Sequence, residues 1–291
     1  MQDDKKYKLA ECYGFLLFSK KFTYEEIVFT TENKFVISRI SEYLTELYTP
    51  VIERSSSLRT KSNAGQLITV KIINQADCNN IYRSFGYSDK DYSLRINRAN
   101  ISDDGQLSAF IRGVFLSCGS ITNPEKGYHL EFKVPFRNLA SDLLTLLSEI
   151  GECRLTPKSV VRQGYYIIYF KNSEQIADLL TYMGAVNSSM SIMDTKAMKA
   201  LKNNAIRKFN SEIHNINKIA DASARQVKAI KKLMESDLYK TLSPELKEIA
   251  TLRLENPELS LRDLGKLTSD GISRSGVNHR LKKLMDYTDK V

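Results

Sequence analysis

Cysteine and histidine are scarce in this sequence, four and three in 291 residues, and tryptophan is absent. Cys12, Cys78, Cys118 and Cys153 lie far apart with no C-x-x-C pair. That spacing argues against a disulfide framework or a zinc site and leaves free thiols as the simpler reading. His129, His214 and His279 are equally scattered, so no metal cluster and no cofactor motif is visible. No apolar run approaches the roughly 18–20 residues of a membrane span. The opening stretch "MQDDKKYKLAE" is polar and lacks the apolar core of a signal peptide. A cytoplasmic chain without a membrane partner is the expectation.

What is present is a soluble-protein composition, 42% hydrophobic and 26% charged, at a length sufficient for two domains. The formal charge is +9, which points to an anionic partner. Its distribution is uneven. From Lys196 to the end there are 20 basic and 12 acidic residues, so nearly all of the excess sits in the last third.

The first 190 residues hold a repeat with a period of about 100 residues. The first half opens with the apolar helix "LAECYGFLLFSKKF" and the strand "EEIVFTT". An amphipathic helix follows, "NKFVISRISEYLTELY", then the strand-like "PVIERSS" and "QLITVKIIN". The second half opens with "LSAFIRGVFLSCGS" and "YHLEFKV". It continues with the helix "FRNLASDLLTLLSEIG", then "ECRLTPKSV", "GYYIIYF" and a closing helix "SEQIADLLTYMGA". Helices are read from i, i+3, i+4 apolar spacing and strands from alternation. Each half reads α-β-β-α-β-β-α. The two opening helices are apolar nearly all round, as buried helices are. Each spends a mid-helix glycine, Gly14 and Gly113, at about 1 kcal/mol against alanine. Close approach of two helix backbones is the expected compensation.

Residues 191–235 are polar, proline-free and weakly periodic, and are read as a connector, helical in pieces. Its basic start (Lys196, Lys199, Lys202, Arg207, Lys208) is either a phosphate contact or a solvated face. Residues 236–291 carry clearer punctuation. Ser243–Pro244 starts a helix that Pro257 ends. Ser260 caps a short helix with Asp263 at its third position and a Leu259–Leu264 staple. "TSDG" breaks that helix at Gly271, and Ser273 caps a last helix with Ile272 stapling onto Val277. Two short helices joined by a four-residue glycine turn make a helix-turn-helix motif over about 260–291.

At 100° per residue, Val277, Leu281 and Leu284 of the last helix share a core-facing side. A reading helix presents its N-terminal outward residues to base edges and its flanking cations to phosphates. Arg274, Ser275, Asn278 and His279 are therefore assigned to bases, and Arg280, Lys282 and Lys283 to the backbone of double-stranded DNA. A three-helix protein-interaction module with a solvated basic face would show the same helix pattern.

An inward helix ending in glycine and followed by a strand, twice over, resembles the LAGLIDADG homing endonucleases. In that fold the last acid of each motif holds the catalytic divalent metal, a hard cation that wants oxygen ligands. Here "FIRGVFLSCGSI" has Leu116 and Cys118 where acids would stand, and "CYGFLLFSKKF" has Ser19, followed by Lys20. The resemblance thus implies a degenerate nuclease fold. If the fold kept its DNA-binding saddle, the strand residues lining it would include Lys71, Arg83, Arg95, Lys133, Arg154 and Lys158.

"RGVFLSCGSITNPEKGYHLEF", "TTENKFVISRI…ELYTP", "NAIRKFNSEIHNINKIADASARQVKAI" and "SLRDLGKL…SRSGVNHRLKKL" together resemble the WhiA family over nearly the whole chain. That resemblance implies an α+β LAGLIDADG-like domain over 1–190, with halves about 1–100 and 101–190. An all-α domain related to sigma-factor region 4 would follow the connector, over 236–291. It implies a non-enzymatic, sequence-specific transcriptional regulator of cell division, sporulation or both. The expected partners are DNA and, beyond it, RNA polymerase or other regulators, and the expected place is the nucleoid. The competing readings are a homing-type endonuclease with displaced metal ligands and a protein-interaction scaffold for the transcription machinery.

Overall fold

Two pseudo-symmetric halves and a helical tail make up the computed structural model, which describes residues 2–58, 66–91, 93–151 and 154–288. The chain divides into two compact units, Met1–Met198 and Lys199–Val291.

In the first unit each half follows the expected order. The first half runs α1 (Gln2–Leu17), β1 (Lys21–Phe22), β2 (Ile27–Thr31), α2 (Lys34–Tyr48), β3 (Ile52–Leu58), β4 (Gln66–Ile72) and α3 (Gln75–Ser84). The second runs α4 (Asp104–Cys118), β5 (Gly119–Ile121), β6 (Leu130–Val134), α5 (Arg137–Ser148), β7 (Lys158–Arg162), β8 (Tyr165–Phe170) and α6 (Ser173–Tyr182). The strands form two four-stranded antiparallel sheets with matching orders, β1-β2-β4-β3 and β5-β6-β8-β7. Several boundaries differ from the sequence reading. α1 begins seven residues before Leu9 and stops at Leu17, so Lys21–Phe22 is strand, not helix. The β7 strand starts only at Lys158, after Pro157.

Local chemistry explains the elements. Asn33, Asn74, Asp103 and Asn172 each cap a helix by accepting a backbone N–H. α2 buries Val36, Ile37, Ile40, Ser41 and Leu44, and α5 buries Leu139, Ala140, Leu143, Leu146 and Leu147. Those are the helical spacings that put one apolar side on a sheet. In β6, Leu130, Phe132 and Val134 point inward while Lys133 is exposed, the period-two pattern of a half-buried strand.

α1 and α4 cross at the centre of this unit. A Cβ at Gly14 would stand 2.2 Å from the Phe110 carbonyl oxygen, and one at Gly113 would stand 2.0 Å from that of Glu11. Each glycine lets the other helix's backbone in, as the sequence suggested. The crossing is also held by a buried carboxylate that periodicity did not reveal. Glu11 is 1% exposed and accepts from Arg39 of α2 (Nε 2.5 Å, Nη2 2.9 Å) and from Arg112 Nε of α4 at 2.8 Å. Arg112 Nη1 in turn donates to the Met183 carbonyl at 3.1 Å. A buried charge is tolerable only when paired in this way.

The expected connector in pieces is instead one helix, α7 (Val186–Met234), 49 residues long and free of glycine and proline. Nothing in it breaks the backbone ladder, and Asn residues alone cost too little to do so. The boundary between the two units falls inside α7. Ile230 and Leu233 of α7 are buried among Leu246, Ile249, Leu264, Val277, Leu281 and Leu284. Ser223 Oγ donates to the Pro257 carbonyl at 2.5 Å, and Thr288 Oγ1 to the Ala229 carbonyl at 3.2 Å.

Among the described residues, Cys12 and Cys78 are buried free thiols and Cys118 is a half-buried one. Cys153 lies outside the described residues. No described helix is long and apolar enough to cross a membrane.

Candidate nucleic-acid interface

The second unit completes its fold with α8 (Pro244–Glu255), α9 (Leu261–Lys266) and α10 (Arg274–Thr288). Pro244 opens α8, although Ser243 makes no side-chain cap bond. Ser260 caps α9 by accepting from Asp263 N (3.2 Å) and donating to its Oδ2 (2.7 Å). Lys266 and Ser260 both hold the Asp263 carboxyl below its ordinary range. Ser273 Oγ accepts from Gly276 N at 3.3 Å and starts α10. Leu259 and Ile272, the expected staples, pack against the core that contains Leu264 and Val277. The turn is longer than four residues: 267–273 separate the two helices. Gly271 there takes a φ of +57°, and Gly265 is required because a Cβ would lie 2.3 Å from the Ile272 carbonyl oxygen.

α10 shows the face that the helical wheel predicts. Val277, Leu281 and Leu284 are fully buried. Arg274, Ser275, Asn278, His279, Lys282 and Lys283 are all exposed. Ser275 Oγ lies 2.8 Å from Ser273 Oγ. Arg280 is the exception among the expected phosphate contacts. Its Nη2 meets Asp270 Oδ2 at 2.5 Å and Glu245 Oε2 at 3.6 Å, and its side chain is only 14% exposed. The guanidinium holds the Asp270 carboxyl below its ordinary value. Arg280 ties the turn to α10 and α8, and its charge is spent inside the motif.

Sequence reasoning also missed Arg253. It follows Leu246, Ile249 and Ala250 at the i, i+3, i+4, i+7 positions that face the core, and is 1% exposed. An arginine on the apolar face of α8 was the signal that could have found it. Its Nη1 donates to the Leu259 carbonyl at 2.9 Å.

The positions where a nuclease would hold its metal are occupied by groups engaged elsewhere. Ser19 is buried, and its Oγ donates to the Leu16 carbonyl (2.7 Å) and the Lys21 carbonyl (3.2 Å). Cys118 ends α4, and although the residue is half-buried, desolvation pushes its thiol up to about 12. A thiol so disposed stays protonated at neutral pH and is a poor ligand. Among the described residues, no group of three or more His, Cys, Asp or Glu is arranged to hold a metal ion.

The residues read as a strand-borne saddle separate into two groups. Lys71, Lys133 and Lys158 stand on strands β4, β6 and β7. The register places Lys133, Tyr165, Lys158 and Arg162 on one side of the second sheet, with Lys133 Nζ 4.0 Å from the Tyr165 ring centre. Lys71 pairs with Glu26 at 3.1 Å. Arg83 lies on helix α3 and Arg154 in a turn at φ +41°. Arg95 sits in a loop and grips Asp142 at 2.8 and 2.6 Å. These three are not strand residues.

Comparison with known proteins agrees with this architecture. The profile of the WhiA LAGLIDADG-like domain matches residues 107–202, and that of the WhiA C-terminal HTH domain matches residues 205–288. A probable cell division protein WhiA from Lachnospira eligens is 32% identical, covering 90% of this chain and 83% of that protein. The protein of that name from Clostridium botulinum (strain Hall) is 33% identical over 96% of this chain and 88% of its own length. The crystal structure of full-length WhiA from Thermatoga maritima superposes with a TM-score of 0.57 at 21% identity, covering 98% of this chain and 92% of that one. The likeness in fold spans both units, and the identity to curated relatives runs through nearly the whole length: this chain belongs to the WhiA family.

Proposed function

We propose that this chain is a sequence-specific DNA-binding transcriptional regulator that acts in cell division, without catalytic activity of its own. The exposed face of α10 carries the reading: six polar or cationic side chains project from a helix whose other side is locked into a capped three-helix core. Arg274, Ser275, Asn278 and His279 occupy the start of the helix and are assigned to base edges. Lys282 and Lys283, a turn further along, are assigned to phosphates. Arg280 takes a positioning role, holding the turn through Asp270. The cell-division assignment rests on the names of the relatives, and action on sporulation or through RNA polymerase is a narrower extension of it. A cytoplasmic, nucleoid-associated location follows from DNA as the partner. The engaged Ser19 hydroxyl and protonated Cys118 thiol support the non-enzymatic reading.

The test separates the two classes of contact. Genome-wide mapping of binding sites supplies a specific duplex, and its scrambled form is the control. Asn278→Ala should cost about 1–3 kcal/mol on the specific duplex and spare the scrambled one. Lys282→Ala should weaken both alike and flatten log K against log salt by about one unit. Equal losses on both duplexes for Asn278→Ala would remove it from the base readers.

A further inference from the structure

Beside α10, the helical unit contains a groove of about 570 Å³, within the roughly 300–1,000 Å³ usual for small-ligand sites. Its walls come from α7, α8, α9 and α10. Among the described residues, four cations line it, Lys218, Arg253, Arg262 and Arg274, together with Gln226 and Asn278, and no carboxylate does. Ile219 and Leu261 add an apolar wall. A concentration of like charge in a recess raises its own cost unless an anion is taken up there.

Among the described residues, two buried polar atoms in this lining have no hydrogen-bond partner. Arg253, 1% exposed, turns Nη1 to the Leu259 carbonyl at 2.9 Å and to the Asn256 and Pro257 carbonyls at 3.4 and 3.5 Å, while its Nε meets no acceptor among the described residues. Gln226, 8% exposed, has no donor to its Oε1. Buried polar groups are satisfied as a rule, so an unmet donor and an unmet acceptor in the lining of one groove mark it as a place for a ligand. Burial also pushes the Arg253 guanidinium below its ordinary value, the direction an anion would reverse. Guanidinium groups bind phosphate through paired N–H donors. A protonated phosphate oxygen or a hydroxyl could donate to Gln226.

We infer that this groove is a binding site for a small molecule carrying adjacent phosphate groups, and that its occupant withholds Arg274 and Asn278 from DNA. The second half of that statement rests on the DNA-binding reading above, because those two side chains line the groove and also belong to the proposed base-reading set. The same phosphate chemistry exists in a DNA backbone. A small molecule is favoured because Arg253 is enclosed, whereas a duplex presents its phosphates to an exposed surface.

The experiment is calorimetric titration of the full chain with pyrophosphate, without DNA and at ionic strength held constant with chloride. One-site binding is expected. Lys218→Ala, a solvent-facing change on α7, should weaken it about tenfold, the usual loss for one charge-assisted contact. Arg253→Gln, checked for folding by circular dichroism, should weaken it at least as much. Lys34→Ala, on α2 and outside both the groove and α10, should leave it unchanged. In a second arm, pyrophosphate should displace a duplex from the wild-type chain at lower concentration than from Lys218→Ala. Absence of heat, or heat that folded Lys218→Ala and Arg253→Gln variants retain in full, overturns the site. A loss of duplex affinity in Lys218→Ala, measured without pyrophosphate and equal to the loss of pyrophosphate affinity, makes the groove a DNA-backbone contact and overturns the small-molecule assignment. Pyrophosphate binding in a chain that binds no duplex supports the groove and sinks only the DNA reading.

Discussion

Substituting Gly113 by alanine sets two known effects against each other. In a helix interior the change gains about 1 kcal/mol of backbone propensity. Against it stands a Cβ placed 2.0 Å from the Glu11 carbonyl oxygen and 2.9 Å from Phe15 N, both main-chain atoms of the facing helix. Even a close carbon–oxygen contact needs roughly 3.3 Å, so α1 and α4 must part by about 1 Å or more along this line. Overpacking of a core costs about 1–3 kcal/mol when side chains can yield. Here backbone must yield, and the displaced residue is Glu11, whose carboxylate anchors Arg39 and Arg112. The upper end of that range therefore applies. The net loss is about 2 kcal/mol, or roughly 4–8 °C in the melting of a unit this size. Differential scanning calorimetry of the full chain reads it directly. Gly127→Ala is the control, since a Cβ there meets nothing within 4 Å. The companion change Gly14→Ala should behave like Gly113→Ala, and the double variant should lose less than the sum, because one separation of the helices relieves both clashes. A Gly113→Ala chain that melts at or above the wild-type temperature would refute the close-crossing account.

The boundary of the helical unit gives a second expectation. Ile230 and Leu233 are fully buried in its core, and each contributes about 1.5–3 kcal/mol. A fragment 236–291 should therefore be unfolded by circular dichroism while 199–291 folds, and a cooperative melt of the shorter piece would refute this. Asp103 caps α4, and the Gln106 N–H, then Lys6, hold its carboxyl below the ordinary carboxylate value. A depressed carboxylate contributes stability fully above its unfolded value near pH ~3.9, and that contribution is lost as pH falls through the folded value. Asp103→Asn should thus lower the melting temperature at pH 7, with the gap to wild type closing under acid; a gap independent of pH would contradict it. Finally, the purified chain should not nick supercoiled plasmid in Mg²⁺ or Mn²⁺, and protein-dependent nicking abolished by EDTA would overturn the non-enzymatic assignment.

Much of the fold was legible because its causes are local. Caps at Ser260 and Ser273 act within three residues of their own position, so their signals survive in one dimension. Apolar spacing identified the buried residues of α10 one by one, and marked α2 and α5 as helices. The glycines at 14 and 113 stood out because a helix carries such a cost only when something close offsets it. The continuity of α7 was misread, since weak periodicity was taken for weak helicity.

The sequence by itself determined the two repeated halves, the helix-turn-helix at the end and the exposed face of α10. Those follow from periodicity, capping and charge along one strand of text. Only the tertiary structure decided how charges separated in sequence are spent. It brought Arg39 and Arg112 onto Glu11 across 28 and 101 positions. It turned Arg280 inward to Asp270 and Glu245, and enclosed Arg253 beside Lys218 and Arg274. The free energy of a charge depends on its burial and on which partners reach it, and both are set by chain segments that meet only once the fold has formed.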